Sequence, residues 1–214
     1  MAMSDAPTIY SVRRLDPEGG LGQPDTIPAP ESAEPERVRF VDADGVRRIT
    51  RVVPLVGNPT IRLGFEGDFW VTDGGERYVI HRLDLERDTL LAVERAYEPV
   101  PVPSHVRAEA LTELEPPEGM RSSDNDPDRI PANYPGFNTF YPSTDGSLWV
   151  RRQVDGGLEA LDVFDPDGIY LGQVDFPSDM SGFRINLITE DRIYGVGTDD
   201  LDVPAVVVLR IQRQ

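Results

Sequence analysis

The stretch that decides the fold lies between residues 136 and 172. It contains GFNTFYPSTDGSLWV, from Gly136 to Val150, and after a turn LDVFDPDGIYLG, from Leu161 to Gly172. Asp145-Gly146 and the segment 165–168 (Asp-Pro-Asp-Gly) are turn sequences, because Pro presets φ and Gly accepts a positive φ without steric cost. The stretch therefore predicts four short strands joined by hairpins.

The same pattern recurs along the chain. GDFWV around Trp70 matches GSLWV around Trp149, and the two Trp residues are 79 positions apart. A third copy has Tyr194 at the same position. A partial copy opens the chain, where LDPEG (15–19) resembles FDPDG (164–168). The chain is therefore built from repeats, which is the first property to establish in a new sequence.

A unit of about 40 residues with four short strands is typical of a β-propeller blade. One such sheet buries neither face alone, whereas radial stacking lets each sheet cover its neighbour. The poor alternation in SLWV (147–150) also indicates strands covered on both faces. The alternative is another antiparallel architecture such as a β-sandwich, which rarely repeats one hairpin signature in order. We predict an all-β propeller of about three to four four-stranded antiparallel blades with one short helical insertion.

The copies also predict domain boundaries. Residues 1–57 form a partial blade plus an extra hairpin, and residues 58–214 form three blades, with a helix and loop inserted at about 103–135. The individual predictions are strands at 8–15 and 25–28, a Pro-rich linker at 29–36, a hairpin of 38–41 and 49–53, blades at 58–102, 136–178 and 181–212, and a helix at 104–115 with Ser104 as its N-cap. Propellers usually close with four to eight blades. The ring is therefore expected to be partial or open, and missing blades or a second chain would complete it.

The chain has 214 residues, no cysteine and a formal net charge of −17. Such a surface repels nucleic acid and anionic lipid, so neither is expected as a partner. The absence of cysteine excludes disulfides, a thiol nucleophile and Cys-ligated metals. No apolar run approaches the roughly 20 residues that span a bilayer. Residues 1–7 lack the basic and apolar regions of a signal peptide, which predicts a cytoplasmic protein for the sequence as given.

The blade motifs resemble those of the six-bladed β-propeller superfamily. The resemblance rests on DGSLWV (145–150) and VFDPDG (163–168), and it covers about 58–212. NHL-repeat and gluconolactonase-like proteins have such blades, and the sequence is most similar to bacterial six-bladed propellers of unassigned function. The resemblance implies that this chain is the C-terminal portion of a larger, exported or lipid-anchored protein. It implies no single activity, because fold does not determine function.

Enzymes of the lactonase branch hold Ca²⁺ or a similar ion in the central tunnel through Glu, Asn and Asp oxygens. Asn138 and Asn186 occupy similar places at the first strands of their blades, so the resemblance implies that they are candidate metal ligands. The alternative is a polar residue that lines a wet tunnel, or a capping amide. The sequence therefore requires no cofactor but admits calcium.

Other polar residues have simpler explanations. The segment 123–128 (SDNDPD) has the first three spacings of a calcium loop, but Arg129 and Pro135 replace the Gly and Glu that such a loop requires. We interpret it as a solvated loop. The two histidines, His81 and His105, support no Ser-His-Asp arrangement.

The recurring aromatic residues Trp70, Trp149 and Tyr194 predict packing within the blades rather than a ligand platform. Arg77 and the pair Arg151-Arg152 lie beside the Trp strands. They would either bind an anion at the ring mouth or pair with carboxylates on an exposed face, and we favour the second interpretation.

The clear blades and the lack of a catalytic constellation favour a non-enzymatic module that binds a protein or small molecule at the ring face. The alternative is a calcium-dependent or other metal-dependent lactonase or hydrolase, favoured by the resemblance and by Asn138 and Asn186. A third hypothesis is a structural half-ring that dimerises through its open blades.

Overall fold

The computed structural model describes residues 9–15, 21–28, 36–74, 77–122, 127–154, 159–175, 183–198 and 203–212. Within these ranges the regular structure is almost entirely β, with one α-helix, α1 (Ser104–Glu113), and one turn of 3-10 helix at Pro127–Arg129. The strands form separate antiparallel sheets, of which the three blades stack as a partial propeller. The predicted fold class is therefore confirmed.

The sheets follow one another along the chain. The N-terminal hairpin consists of β1 (Ile9–Leu15) and β2 (Leu21–Pro28). The helix-covered sheet consists of β3 (Arg37–Asp42), β4 (Arg48–Val52) and β9 (Met120–Ser122), in the order β4-β3-β9. The first blade consists of β5 (Thr60–Leu63), β6 (Phe69–Thr72), β7 (Val79–Leu83) and β8 (Thr89–Glu94). The second blade consists of β10 (Thr139–Pro142), β11 (Leu148–Gln153), β12 (Glu159–Phe164) and β13 (Tyr170–Asp175). The third blade consists of β14 (Arg184–Ile188), β15 (Arg192–Thr198) and β16 (Pro204–Arg210).

The third blade differs from the prediction, because it has three strands rather than four within the described ranges. β2 also begins at Leu21, earlier than the predicted start at residue 25. Most of the predicted linker, residues 29–35, lies outside the described residues.

The repeated turns have one backbone geometry. In the second blade the N–H of Gly168 donates to the carbonyl of Asp165 at 3.0 Å, and the Asp165 carboxylate accepts from the N–H of Ile169 at 2.8 Å. In the first blade Arg87 donates to Asp84 in the same way, at 3.2 Å. The fourth turn position has a positive φ in both, 80° at Gly168 and 74° at Arg87. Only Gly accepts such a φ without strain.

Two apolar clusters hold the blades together. We call the face that carries Trp70, Trp149 or Tyr194 the back of its blade, and the opposite face the front. The back of the first blade packs on the front of the second through Trp70, Tyr78, Ile80, Val93, Phe137, Phe140, Leu148, Val150 and Phe164. The back of the second packs on the third through Trp149, Leu161, Val163, Phe183, Ile185, Ile188 and Ile193. Each blade thus buries its neighbour, as radial stacking requires.

The first strands of the three blades lie closest to one another. β10 contacts both β5 and β14, so these strands mark the inner side of the partial ring. They begin at the same end of their sheets, after Pro59, Asn138 and Phe183 respectively. This end carries the clefts described below.

A third cluster lies in the helix-covered sheet. Ala110 and Leu114 of the helical segment pack on Val38 and Phe40 of β3, together with Ile130. The predicted hairpin and helix are both present, but the pairing of β9 with β3 was not foreseen. The predicted N-cap is wrong: Pro103 occupies the cap position, and the helix has no side-chain cap hydrogen bond. Ser104 is instead the first helical residue.

Candidate binding clefts

Two extended segments close the base of the insertion between the first two blades. The N–H of Val102 donates to the carbonyl of Ala132 at 2.9 Å, and the N–H of Tyr134 donates to Val100 at 2.8 Å, on either side of the bridge Pro101–Asn133. Flanking prolines lack an N–H and cannot extend this ladder. The pair therefore stays short and leaves its edges as the wall of a depression.

A ridge divides this depression into two clefts. The ridge consists of Leu55, Val56, Gly57, Tyr134 and Pro135, which line both sides. Leu55 has a φ of 63°. This left-handed conformation is energetically unfavourable for any residue other than Gly, and it often occurs at functional sites.

Close backbone packing fixes the ridge against the first blade. A Cβ added at Gly57 would lie 2.1 Å from the carbonyl oxygen of Gly74, which is in the loop between β6 and β7. Real Cβ atoms do not approach an oxygen so closely. The ridge is therefore held by the first blade, and its position depends on a glycine.

The larger cleft has a volume of about 800 Å³. Beyond the ridge, its apolar lining comes from Tyr97, Pro99, Pro131 and Ala132. Its charged groups are Glu36, Arg77, Asp128 and Arg129. A cleft of this size, apolar with a few polar groups, has the usual properties of a ligand site.

The charges of the larger cleft balance. Arg77 forms an ion pair with Glu94 at 2.7 Å, and this hydrogen bond raises the pKa of the Arg77 guanidinium. Arg129 lies 3.7 Å from the carboxylate of Glu36. The lining itself has two positive and two negative side chains, so its formal charges sum to zero, and Glu94 adds a carboxylate just outside it. This arrangement suits an uncharged or zwitterionic ligand surface.

The smaller cleft has a volume of about 370 Å³ and lacks charged side chains in its lining. Its polar groups are the amides of Asn58, Asn138 and Gln153. Asn138 Nδ2 donates to Gln153 Oε1 at 3.2 Å. Amides both donate and accept hydrogen bonds, so this cleft can hold a peptide-like group.

The two predicted metal ligands have different surroundings. Asn138 is exposed and lies in the smaller cleft, immediately before β10. Asn186 is exposed within β14, which neighbours β10, and it lines neither cleft. Within the described ranges, no three His, Asp or Glu side chains come together as a metal site would need. A shared ion at these asparagines stays a prediction.

The remaining predicted residues are scattered. Residues 123–126 of the acidic loop lie outside the described residues, whereas Asp128 lines the larger cleft. His81 is half-buried on β7, and His105 is exposed on α1.

Trp70 and Trp149 are buried between blades, at 2% and 5% exposure, and Tyr194 is half-buried on the back of the third blade. Trp149 Nε1 donates to Ser147 Oγ at 3.0 Å, and Ser147 Oγ in turn donates to Asp145 at 2.6 Å. The buried indole N–H is therefore satisfied.

The arginines beside the Trp strands pair with carboxylates. Arg151 pairs with Glu159, and Arg152 Nε donates to Asp162 at 2.9 Å. The expected exposed face is wrong for this pair, because their side chains are only 13% and 14% exposed. Arg77 does lie on an exposed face.

Sequence reasoning missed the aromatic and proline lining of the clefts and the fully buried Asp162. Tyr97 and Tyr134 flank the insertion outside the repeat, so no periodic signal marked them. The sequence did contain a signal for Asp162. The repeat aligns it with His81, so the residue type changes at one position of the blade.

No protein-family model, no curated protein and no solved structure matches this chain. The resemblance to six-bladed propellers therefore rests on the blade motifs alone. Over the residues that the structure describes, no helix has the length and apolar character needed to cross a membrane.

Proposed function

We propose that this chain is a non-enzymatic binding module whose ligand occupies the two adjoining clefts at one ring face. The observation that carries the proposal is the larger cleft, with its volume of about 800 Å³ and its apolar, charge-balanced lining around Tyr97 and Tyr134. Aromatic and proline side chains provide rigid contact area at small entropic cost.

The ligand class that fits best is an extended peptide segment of a partner protein. The clefts share the ridge as a common wall, so one elongated ligand can occupy both. The amides of Asn138 and Gln153 are complementary to a peptide backbone. The net charge of −17 favours a neutral or basic peptide and disfavours an acidic one.

A peptide-display selection on the intact protein tests this proposal. We expect wild-type protein to enrich a peptide family that Ala132→Trp fails to bind, because the added indole fills the larger cleft at an exposed position. Leu171→Ala, at an exposed residue of β13 outside the clefts, is the control and should retain binding. Enrichment that Ala132→Trp leaves intact would place the ligand elsewhere and refute the proposal.

A second candidate is a metal-dependent lactonase or other hydrolase. Its support is the position of Asn138 in the smaller cleft, next to the inner strands. Lactone and ester turnover, assayed with calcium and with chelator, tests it. Calcium-dependent turnover that Asn138→Ala and Asn186→Ala abolish would replace the binding-module proposal.

The proposed partners also include the blades that would complete the ring. Further blades or a second chain would cover the blade faces that the described sheets leave open.

A further inference from the structure

Among the described residues, no sheet covers the back of the third blade as the following blade covers each of the other two backs. Trp70 and Trp149 are buried by the blade that follows them, and Tyr194 occupies the equivalent position in the third blade. Beside Tyr194, Val206 and Val208 of β16 are 78% and 51% exposed. No further sheet follows β16 within the described ranges.

The strand register shows that these residues share one face. Tyr194 lies opposite Leu187 on β14 and opposite Val208 on β16, and Val196 lies opposite Val206. Residues directly opposite each other in a sheet point to the same side. Arg184 also lies opposite Val196 on this face, so the face is an apolar strip between Arg184 and the pair Arg192–Arg210. Among the described residues β16 is the edge strand of this sheet, and apolar surface at a sheet edge is a feature of interaction sites.

The chain contains a surface of the type that covers such a back face. The front of the second blade covers the back of the first through Phe140, Leu148, Val150 and Phe164. The first blade has Ile61, Phe69, Val71 and Leu83 at the same register positions of its own front. Phe69 at the centre of this front is already only 2% exposed, whereas Leu63 and the neighbouring turn residue Phe65 are 54% and 56% exposed, so the part open to a second copy lies around Leu63 and Phe65.

The charges at the two faces also favour contact between the back of the third blade and the front of the first. Arg192 and Arg210 lie opposite each other at one end of the third blade, and Asp191, 3.4 Å from Arg192, balances one of these two charges. The first blade carries Glu66 in its first turn, where it pairs with Arg82 at 2.8 Å, and its side chain is 77% exposed and so accessible to a second cation. Opposite charges at the two open faces steer association between copies.

The two groups of charges would also lie at the same end of the stacked blades. In the second blade, Ser143 and Thr144 of the first turn donate to the carbonyl of Ile188 in the third, at 3.0 and 3.1 Å. Glu66 lies in the equivalent turn of the first blade. Stacking of the same type would therefore place Glu66 of a following first blade beside the first turn of the third blade, where Arg192 begins β15.

We propose that the back of the third blade binds the front of the first blade of a second copy, so that two copies close one ring. The interface occurs twice, related by a two-fold axis along the ring. The interface residues do not line the clefts, so dimerisation can be tested independently of the proposed ligand binding.

Sedimentation equilibrium on the full chain tests the proposal. We expect the mass to rise from 23.8 kDa towards twice that value over concentrations up to about 100 µM. Val206→Asp should weaken dimerisation at least about tenfold, because it buries a charge. Val46→Asp, at a residue 83% exposed in the turn between β3 and β4, should leave it unchanged. A monomer throughout, or open polymers, would overturn the proposal, as would equal effects of the two variants.

A charge exchange tests the pairing of faces. Arg192→Glu and Glu66→Arg should each weaken self-association, because like charges then face each other. An equimolar mixture of the two variants should dimerise as the wild type does, since each contact regains one positive and one negative charge. A mixture no stronger than either variant alone would refute the pairing of these two faces.

Discussion

Asp162 of the second blade accepts a hydrogen bond from the phenol of Tyr78 in the first, with an O···O distance of 3.1 Å. The same carboxylate also accepts hydrogen bonds from Arg95, just after the last strand of the first blade, and from Arg152 and Tyr170 of its own blade. Asp162 is fully buried. A buried charge is tolerated only with partners, so this carboxylate ties two blades together at one position.

Asp162→Asn should lower the free energy of unfolding by about 3 kcal/mol, the lower end of the range for breaking a buried pair, because Arg95 and Arg152 keep some contact with solvent. Urea unfolding followed by circular dichroism measures this change. Asp167→Asn, in an exposed turn of the same blade, is the control and should stay within about 0.5 kcal/mol of the wild type. Equal midpoints for both variants would show that the Asp162 cluster does not stabilise the interface.

The same contact predicts a loss of stability in alkali. Burial, with the negative charge of Asp162 and its hydrogen bond, raises the pKa of Tyr78 far above its ordinary value. Above about pH 10 the unfolded chain releases this proton and the folded chain keeps it, so unfolding becomes more favourable as pH rises.

We expect the free energy of unfolding of the wild type to fall between pH 10 and 11, and Tyr78→Phe to fall less steeply. At pH 7 Tyr78→Phe should be less stable by about 1 kcal/mol, because it lacks the hydrogen bond. Urea titrations at several pH values give both quantities. Parallel pH curves for the two proteins would exclude Tyr78 as the cause.

The blades were predictable because their signals are local. A turn such as Asp165 to Gly168 fixes its own geometry, and repetition of the Trp70 motif at Trp149 identified equivalent strands. The third cluster was less predictable, since the pairing of β3 with β9 joins residues about 80 positions apart with no repeat to mark them. Three-residue strands such as β9 carry little periodicity.

The clefts were not predictable for a related reason. Tyr97 and Tyr134 lie on opposite sides of the insertion, and only the pairing of Val102 with Ala132 brings their segments together. Asn138 lies immediately before β10, next to the strand on which the sequence placed it, because blade position alone determines that.

The repeat identifies one strained position that can be relieved. Arg87 holds a φ of 74° where the second blade has Gly168. Arg87→Gly should raise the free energy of unfolding by about 0.5 kcal/mol, because relief of the strain exceeds the entropy that Gly adds to the unfolded chain. Gly168→Ala should lower it by at least about 1 kcal/mol, since its Cβ would also lie 3.2 Å from Leu91. Thermal unfolding of both variants tests the equivalence of the turns, and a destabilised Arg87→Gly would contradict it.

Gly57→Ala should disturb the ridge between the clefts. Its methyl group would lie 2.1 Å from the carbonyl oxygen of Gly74, so the loop must move away from the first blade. We expect a loss of about 2 kcal/mol in the free energy of unfolding, together with weaker peptide binding. Gly197→Ala is the matched control, because its Cβ would meet only ordinary contacts, the nearest at 3.4 Å from Val207. If Gly57→Ala unfolded and bound peptide as Gly197→Ala does, the ridge would not depend on this close approach, and its role in shaping both clefts would be refuted.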